Sequence, residues 1–171
     1  MLTIQNTRAA ALQMTDAILL DQSIIPIFDL DGVVIDATHR QAIHPDGSLN
    51  LEMYRKLSTA ANIAKDQVMP LAEVPQFLTD AGRSFFVCTA RVMCNNSNKW
   101  LRKNGIKPTA IFSREGENDR RRDFELKEYH LTRAFSSLEL SRSFLVDDNL
   151  ANCQMAQRLN MKAIHVPFHG H

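Results

Sequence analysis

Between Ser84 and Val166 short apolar runs alternate with amphipathic stretches, and this alternation restricts the fold more than any other feature. Strands are expected at 84–88, 110–112, 143–146 and 163–166, with helices at about 96–103, 123–135 and 150–159 between them. On the last of these helices Ala151, Met155 and Leu159 recur every four positions. Strands alternating with helices imply parallel β-α-β units joined by right-handed crossovers. The expected class is therefore α/β, a Rossmann-like parallel sheet between helical layers. An earlier strand is expected at about 24–29, with Pro26 near its start because proline lacks a ladder donor. A helix over residues 3–20 precedes it, with Ala11, Leu12, Ile18 and Leu19 on one face. Further helices are expected over Leu51–Ala64 and Pro70–Ala81, the second carrying Leu71, Val74 and Leu78 and ending at Gly82. At 171 residues the chain is expected to form one domain, residues 1–171.

The first of these strands ends in the run Ile27-Phe28-Asp29-Leu30-Asp31-Gly32. Alternation sends Asp29 and Asp31 to the same side where the strand stops. Open α/β sheets bind ligands at that edge. Two carboxylates there repel unless a cation or a shared proton relieves them. The spacing points to a magnesium-dependent phosphate site, against the plainer reading of Asp-Leu-Asp-Gly as a turn.

Bulk properties exclude several classes. A net charge of +1 provides no global basic field for nucleic acid, so any such contact must be local. The apolar stretch Ala17–Phe28 is interrupted by Asp21, Gln22 and Pro26 and cannot span a membrane. No basic region followed by an apolar core marks a signal peptide. Cys88, Cys94 and Cys153 form no Cys-x-x-Cys pair, which fits a reducing cytoplasm and argues against zinc.

The other strand ends carry Thr89-Ala90-Arg91, Ser113-Arg114 and Asp147-Asp148-Asn149, and Lys127 shares a helix face with Asp123. In a parallel sheet these ends share one rim. Carboxylates suit Mg²⁺; arginine, lysine and a hydroxyl suit phosphate oxygens. The ordered set Asp-x-Asp-Gly, Thr, Lys, Asp-Asp resembles the haloacid dehalogenase superfamily of phosphohydrolases, from about Ile24 to Val166. The resemblance implies Asp29 as nucleophile, Asp31 as acid and then base, and Thr89 and Lys127 as holders of the transferring phosphoryl group. It also implies a Mg²⁺ site formed by Asp29, the Asp31 carbonyl and Asp147 or Asp148, with Asp148 favoured, and a small cap at about 37–69.

A finer resemblance involves Arg40, Arg91, the segment from Ser113 to Arg120 and Asp123-x-x-x-Lys127. These resemble the phosphatase domain of phage-type polynucleotide kinase/3'-phosphatases. That likeness implies substrate contacts from Arg40, Arg91, Arg114 and Asp123, and phosphorylated polynucleotide ends as substrate. No Gly-x-x-x-x-Gly-Lys-Ser/Thr loop accompanies it, so a stand-alone phosphatase is expected. The alternatives are a nucleotidase or small-molecule phosphatase, and a catalytically silent binding module. Arg120-Arg121-Arg122 stands in a segment with as many acidic as basic side chains and reads equally as a salt-bridged loop. Trp100 reads as core, and His39, His44, His165, His169 and His171 as surface or structural residues.

Overall fold

A computed structural model describes residues 1–42, 44–45, 50–116 and 118–168. Asp46, Gly47, Glu117, His169 and His171 lie outside the described residues. A six-stranded sheet runs in the order β1 (Leu2–Thr3), β8 (Lys162–His165), β7 (Ser143–Asp147), β2 (Ile25–Phe28), β5 (Phe86–Val92), β6 (Ala110–Arg114). Every pairing in it is parallel. The chain leaves β2 toward β5 and β6, then returns on the other side through β7 and β8, so the end of β2 is a topological switch point.

Both sheet faces are covered, so neighbouring strand residues enter different cores. Phe28 packs edge-to-face on Phe85 and Phe144 beneath α1 (Arg8–Leu20) and α4 (Glu73–Asp80). Its neighbour Ile27 enters the opposite core with Leu145, Cys153 and Met155, covered by α6 (Asp123–Ala134) and α8 (Leu150–Arg158). The helix α5 (Asn95–Lys103) buries Trp100 and Leu101 in the first core. A short α7 (Ser137–Ser141), which the sequence pattern did not reveal, leads into β7.

The structure refines several expectations. The first helix begins at Arg8 rather than residue 3, because Thr7 caps it by accepting from the Ala10 N–H at 3.2 Å, while Leu2–Thr3 pair with β8. Its buried stripe is Ala11, Met14 and Ile18, and Leu12 and Leu19 face outward. The helix expected over 51–64 is two, α2 (Leu51–Leu57) and α3 (Ala60–Ile63), because extended Thr59 breaks the run and caps α3. Gly82, at φ +64°, lets Arg83 N–H reach the Leu78 carbonyl and close α4. Pro26 sits inside β2, paired opposite Phe144. Ile25 and Asp29 donate toward β7. The proline nitrogen therefore faces the other side, where pairing with β5 begins only at Ile27.

Between β2 and α4 lie α2, α3 and an antiparallel pair, β3 (Ile35–Asp36) with β4 (Gln67–Val68). Among the described residues no helix is long and apolar enough to cross a membrane.

Candidate active site

Asp29 follows β2 directly, and its N–H donates to the Val146 carbonyl at 2.9 Å, extending the strand by one residue. The chain then turns tightly. Gly32, at φ +78°, donates to Ile35 O, and the Val34 and Ile35 amides donate to Leu30 O. Asn6 supports the turn from outside, its Nδ2 donating to Val33 O at 2.9 Å. Asp29 is thereby left nearly buried at the base of the cleft, 6% exposed.

Opposite the turn, the pairing of β5 with β6 slips between Cys88 and Val92, at Thr89 and Arg91. The Arg91 guanidinium grips Asp31, with Nε 3.1 Å from Oδ2 and Nη2 on Oδ1. The Tyr54 hydroxyl lies 3.4 Å from Asp31 Oδ2. Burial raises the Asp31 pKa, but the charge and hydrogen bonds of Arg91 outweigh it, and the carboxyl stays below its usual range.

From α6, the fully buried Lys127 extends Nζ to 2.7 Å from Asp147 Oδ2, 3.2 Å from Asp29 Oδ1 and 3.4 Å from Asp123 Oδ1. The other Asp147 oxygen accepts from the Asn149 amide at 2.9 Å and Asn152 Nδ2 at 2.8 Å. Asn152 also donates to Asp123 Oδ2 at 2.8 Å. Asp147 is thus held on both oxygens, whereas neither side-chain oxygen of Asp148 accepts a hydrogen bond among the described residues.

One lysine faces more negative charge than it can neutralise. Burial pushes Asp29 well above the carboxylate range against the pull of Lys127, and it raises Asp147 as well. Burial and the neighbouring Asp147 push Asp148 up to about 7. One oxygen each from Asp29, Asp147 and Asp148 lies within 4.8 Å of the others, and among the described residues buried Asp29 Oδ1 has the Lys127 ammonium 3.2 Å away but accepts no aligned hydrogen bond. A hard divalent cation with oxygen ligands fits this set. Asp29, Asp148 and the backbone beside Gly32 could hold it, with Asp147 as a third carboxylate.

The structure brings Asp29, Asp31, Thr89, Arg91, Arg114, Asp123 and Asp148 to the wall of one cleft of about 690 Å³. Buried Lys127 and Asp147 stand behind it. Arg114 is committed to backbone: Nε donates to Ala90 O at 3.0 Å, and Nη1 to the carbonyls of Asp119 at 2.8 Å and Arg121 at 2.9 Å. It thereby secures the loop that follows β6. Arg40 is 1% exposed and does not line the cleft; Nε and Nη2 engage both oxygens of Asp66 and Nη1 engages Ser58. Arg121 pairs with Asp119 and stacks on Tyr129, and Arg122 pairs with Glu125. Trp100 is core, as expected, and its indole donates to Asp66 O at 3.2 Å.

Sequence reasoning missed Tyr54, Asp66 and Asn152. Asn152 had a signal: it lies on the buried stripe of α8 with Cys153, Met155 and Ala156, where a polar residue must find a partner. Asp66 had none, since it sits among polar neighbours just before a two-residue strand. A second cavity of about 610 Å³ beneath α1 is largely apolar and shares no residue with the cleft.

Comparison with known proteins identifies the family. The model of the family described as bacteriophage T5 5'-deoxynucleotidase matches residues 14–165, a span holding every carboxylate of the cluster. The chain belongs to that family. The 5'-deoxynucleotidase of Escherichia phage T5 is 32% identical over 102 residues, covering 54% of this chain and 42% of the relative. The chain therefore spans less than half of that protein's length. Two solved structures share the fold at low identity. A haloacid dehalogenase-like family hydrolase from Streptococcus pneumoniae has a TM-score of 0.61 at 12% identity, covering 85% of each chain. A chain of the Pnkp1/Rnl/Hen1 complex has a TM-score of 0.61 at 20% identity, covering 84% of this chain and 46% of its own. The fold is that of the haloacid dehalogenase-like phosphatases.

Proposed function

We propose that this protein is a Mg²⁺-dependent phosphomonoesterase acting on deoxynucleoside 5'-monophosphates through an aspartyl-phosphate at Asp29. The observation that carries this reading is the 5'-deoxynucleotidase family match across the span holding the whole carboxylate cluster. The cleft chemistry agrees with it. Asp29 attacks phosphorus as the bond to the leaving oxygen breaks, and Asp31 protonates that oxygen. Asp31 then takes a proton from the water that hydrolyses the acyl phosphate, freeing Asp29. In the free site Arg91 keeps Asp31 ionised, the form needed for water. A phosphate dianion entering beside it raises its proton affinity, so Asp31 takes up a proton from solvent before donating it in the first step. Lys127 offsets the charge of Asp29, Asp123 and Asp147, and the Thr89 hydroxyl donates to a phosphoryl oxygen. A bound Mg²⁺ would relieve the repulsion between Asp29 and the incoming phosphate.

A second reading, removal of 3'-phosphates from polynucleotide ends, is favoured by the rim, where Arg120 lines the cleft beside Arg121 and Arg122, themselves paired with Asp119 and Glu125. We read the segment 37–69 as a small cap, from which Gln41 and Tyr54 line that cleft. Turnover of deoxynucleoside 5'-monophosphates, their 3'-isomers and a 3'-phosphorylated oligonucleotide separates the two. Preference for the 5'-mononucleotide supports the first reading, and preference for the oligonucleotide replaces it with the second.

A further inference from the structure

We propose that Asp66 is a positioning residue for the reaction: held by Arg40, it fixes Arg91 and through it the catalytic carboxylate of Asp31. The proposal rests on the phosphatase reading above.

The Asp66 side chain is wholly buried just ahead of β4, far in sequence from both aspartates of the Asp-Leu-Asp turn. Arg40 grips it with two hydrogen bonds, Nε to Oδ1 at 2.8 Å and Nη2 to Oδ2 at 2.9 Å. Arg91 Nη1 lies 3.5 Å from that same Oδ2, while its Nε and Nη2 hold Asp31. The order in space is therefore Arg40, Asp66, Arg91, Asp31. Two nearly buried guanidinium groups this close would repel without an anion between them, and Asp66 is that anion. Ser58 accepts from Arg40 Nη1 at 2.9 Å, the Tyr54 ring centroid lies 4.8 Å from the Arg40 guanidinium carbon, and Trp100 anchors the Asp66 backbone. By contrast, Asp31 stands just before the Gly32 turn at the mouth of the cleft with its side chain 25% exposed, and among the described residues its side-chain hydrogen bonds come from Arg91 and Tyr54. The rotamer of Asp31 thus depends on an arginine that Asp66 steadies from the other end.

The test exploits leaving-group chemistry. The value of kcat/KM covers steps up to loss of the leaving group, where an alkoxide needs a proton and nitrophenolate does not. In Asp66→Asn, kcat/KM on an alkyl phosphomonoester should fall about tenfold or more, and on p-nitrophenyl phosphate less than about threefold. Because Asp66 acts through Asp31, the double variant Asp66→Asn/Asp31→Asn should be no worse than Asp31→Asn alone, within about twofold. Asp66→Glu keeps the charge among the arginines and moves only the carboxylate, so it guards against misfolding and should shift the substrate ratio in the same direction. An unchanged ratio in both variants, or a double variant worse than Asp31→Asn, overturns the proposal and leaves Asp66 structural. A wild-type protein inactive on both esters removes the phosphatase reading and this proposal together.

Discussion

A Cβ placed on Gly32 would lie 2.3 Å from Oδ2 of Asp148, well inside contact distance. The glycine therefore has two duties: φ +78° for the turn after Asp31, and an open face on which the Asp148 carboxylate rests. Gly32→Ala violates both, so it should displace Asp148 and lower kcat/KM at limiting Mg²⁺ by about a hundredfold or more. Kinetics across a Mg²⁺ series measure this, and activity within about threefold of wild type would show that Asp148 needs no such seat.

Asp29→Asn should abolish turnover, by more than about a thousandfold, while the protein stays folded. The substitution removes the nucleophile but also one of several crowded carboxylates, so folding gains from reduced repulsion. Retention of about a tenth of the activity would end the aspartyl-phosphate mechanism.

Asp147 and Asp148 are adjacent in sequence and should fail differently. Asp147→Asn withdraws the closest counter-charge from buried Lys127 and should destabilise the fold by about 3 kcal/mol, softened by Asp29 and Asp123. Asp148→Asn breaks no hydrogen bond within the described protein and should mainly raise the Mg²⁺ concentration for half-maximal activity. Denaturant unfolding beside Mg²⁺ titration separates them; identical behaviour would mean that the two carboxylates share one role.

How much of this was legible in the sequence follows from how each residue is placed. Asp29, Thr89, Arg114 and Asp147 stand in or directly after strands, where apolar runs announce the strand and parallel topology assigns the edge. Lys127 followed from its spacing to Asp123 on a helix. The lattice behind them was not legible. Arg40, Tyr54 and Asp66 meet Arg91 through a segment of short elements whose periodicity is too brief to read, and their pairing joins residues remote in sequence. The arginines illustrate the same limit. The resemblance to polynucleotide 3'-phosphatases implied substrate contacts for them, but only geometry reveals Arg40 on Asp66, Arg91 on Asp31 and Arg114 on backbone carbonyls.

Arg114 should therefore matter through its loop. Lysine cannot reproduce a fork that serves three carbonyls. Arg114→Lys should loosen the segment bearing Arg120 and Arg121 and raise KM for a nucleotide several-fold, with kcat changed less. A loss confined to kcat would instead place Arg114 on the reacting phosphoryl group.

Metal binding should leave a pH signature in thermal stability. An acid whose pKa is higher in the fold than in the unfolded chain binds its proton more tightly when folded. Its contribution is fully present below the unfolded value, about 4 for aspartate, and is lost as pH rises through the folded value. Asp148 sits at about 7, and Asp29 and Asp147 are raised as well. In excess chelator the protein should lose stability from about pH 4 to above 7 as these carboxylates ionise against each other. Mg²⁺ binds the ionised carboxylates and competes with their protons, so it restores most where the metal-free site is most strained. The rise in Tm on adding saturating Mg²⁺ should be larger at pH 8 than at pH 6, and Asp148→Asn should flatten that difference. Calorimetry or dye-monitored melting with and without chelator measures it. A Tm shift that is equal at the two pH values, or larger at pH 6, would mean that the ion does not bind at Asp29 and Asp148.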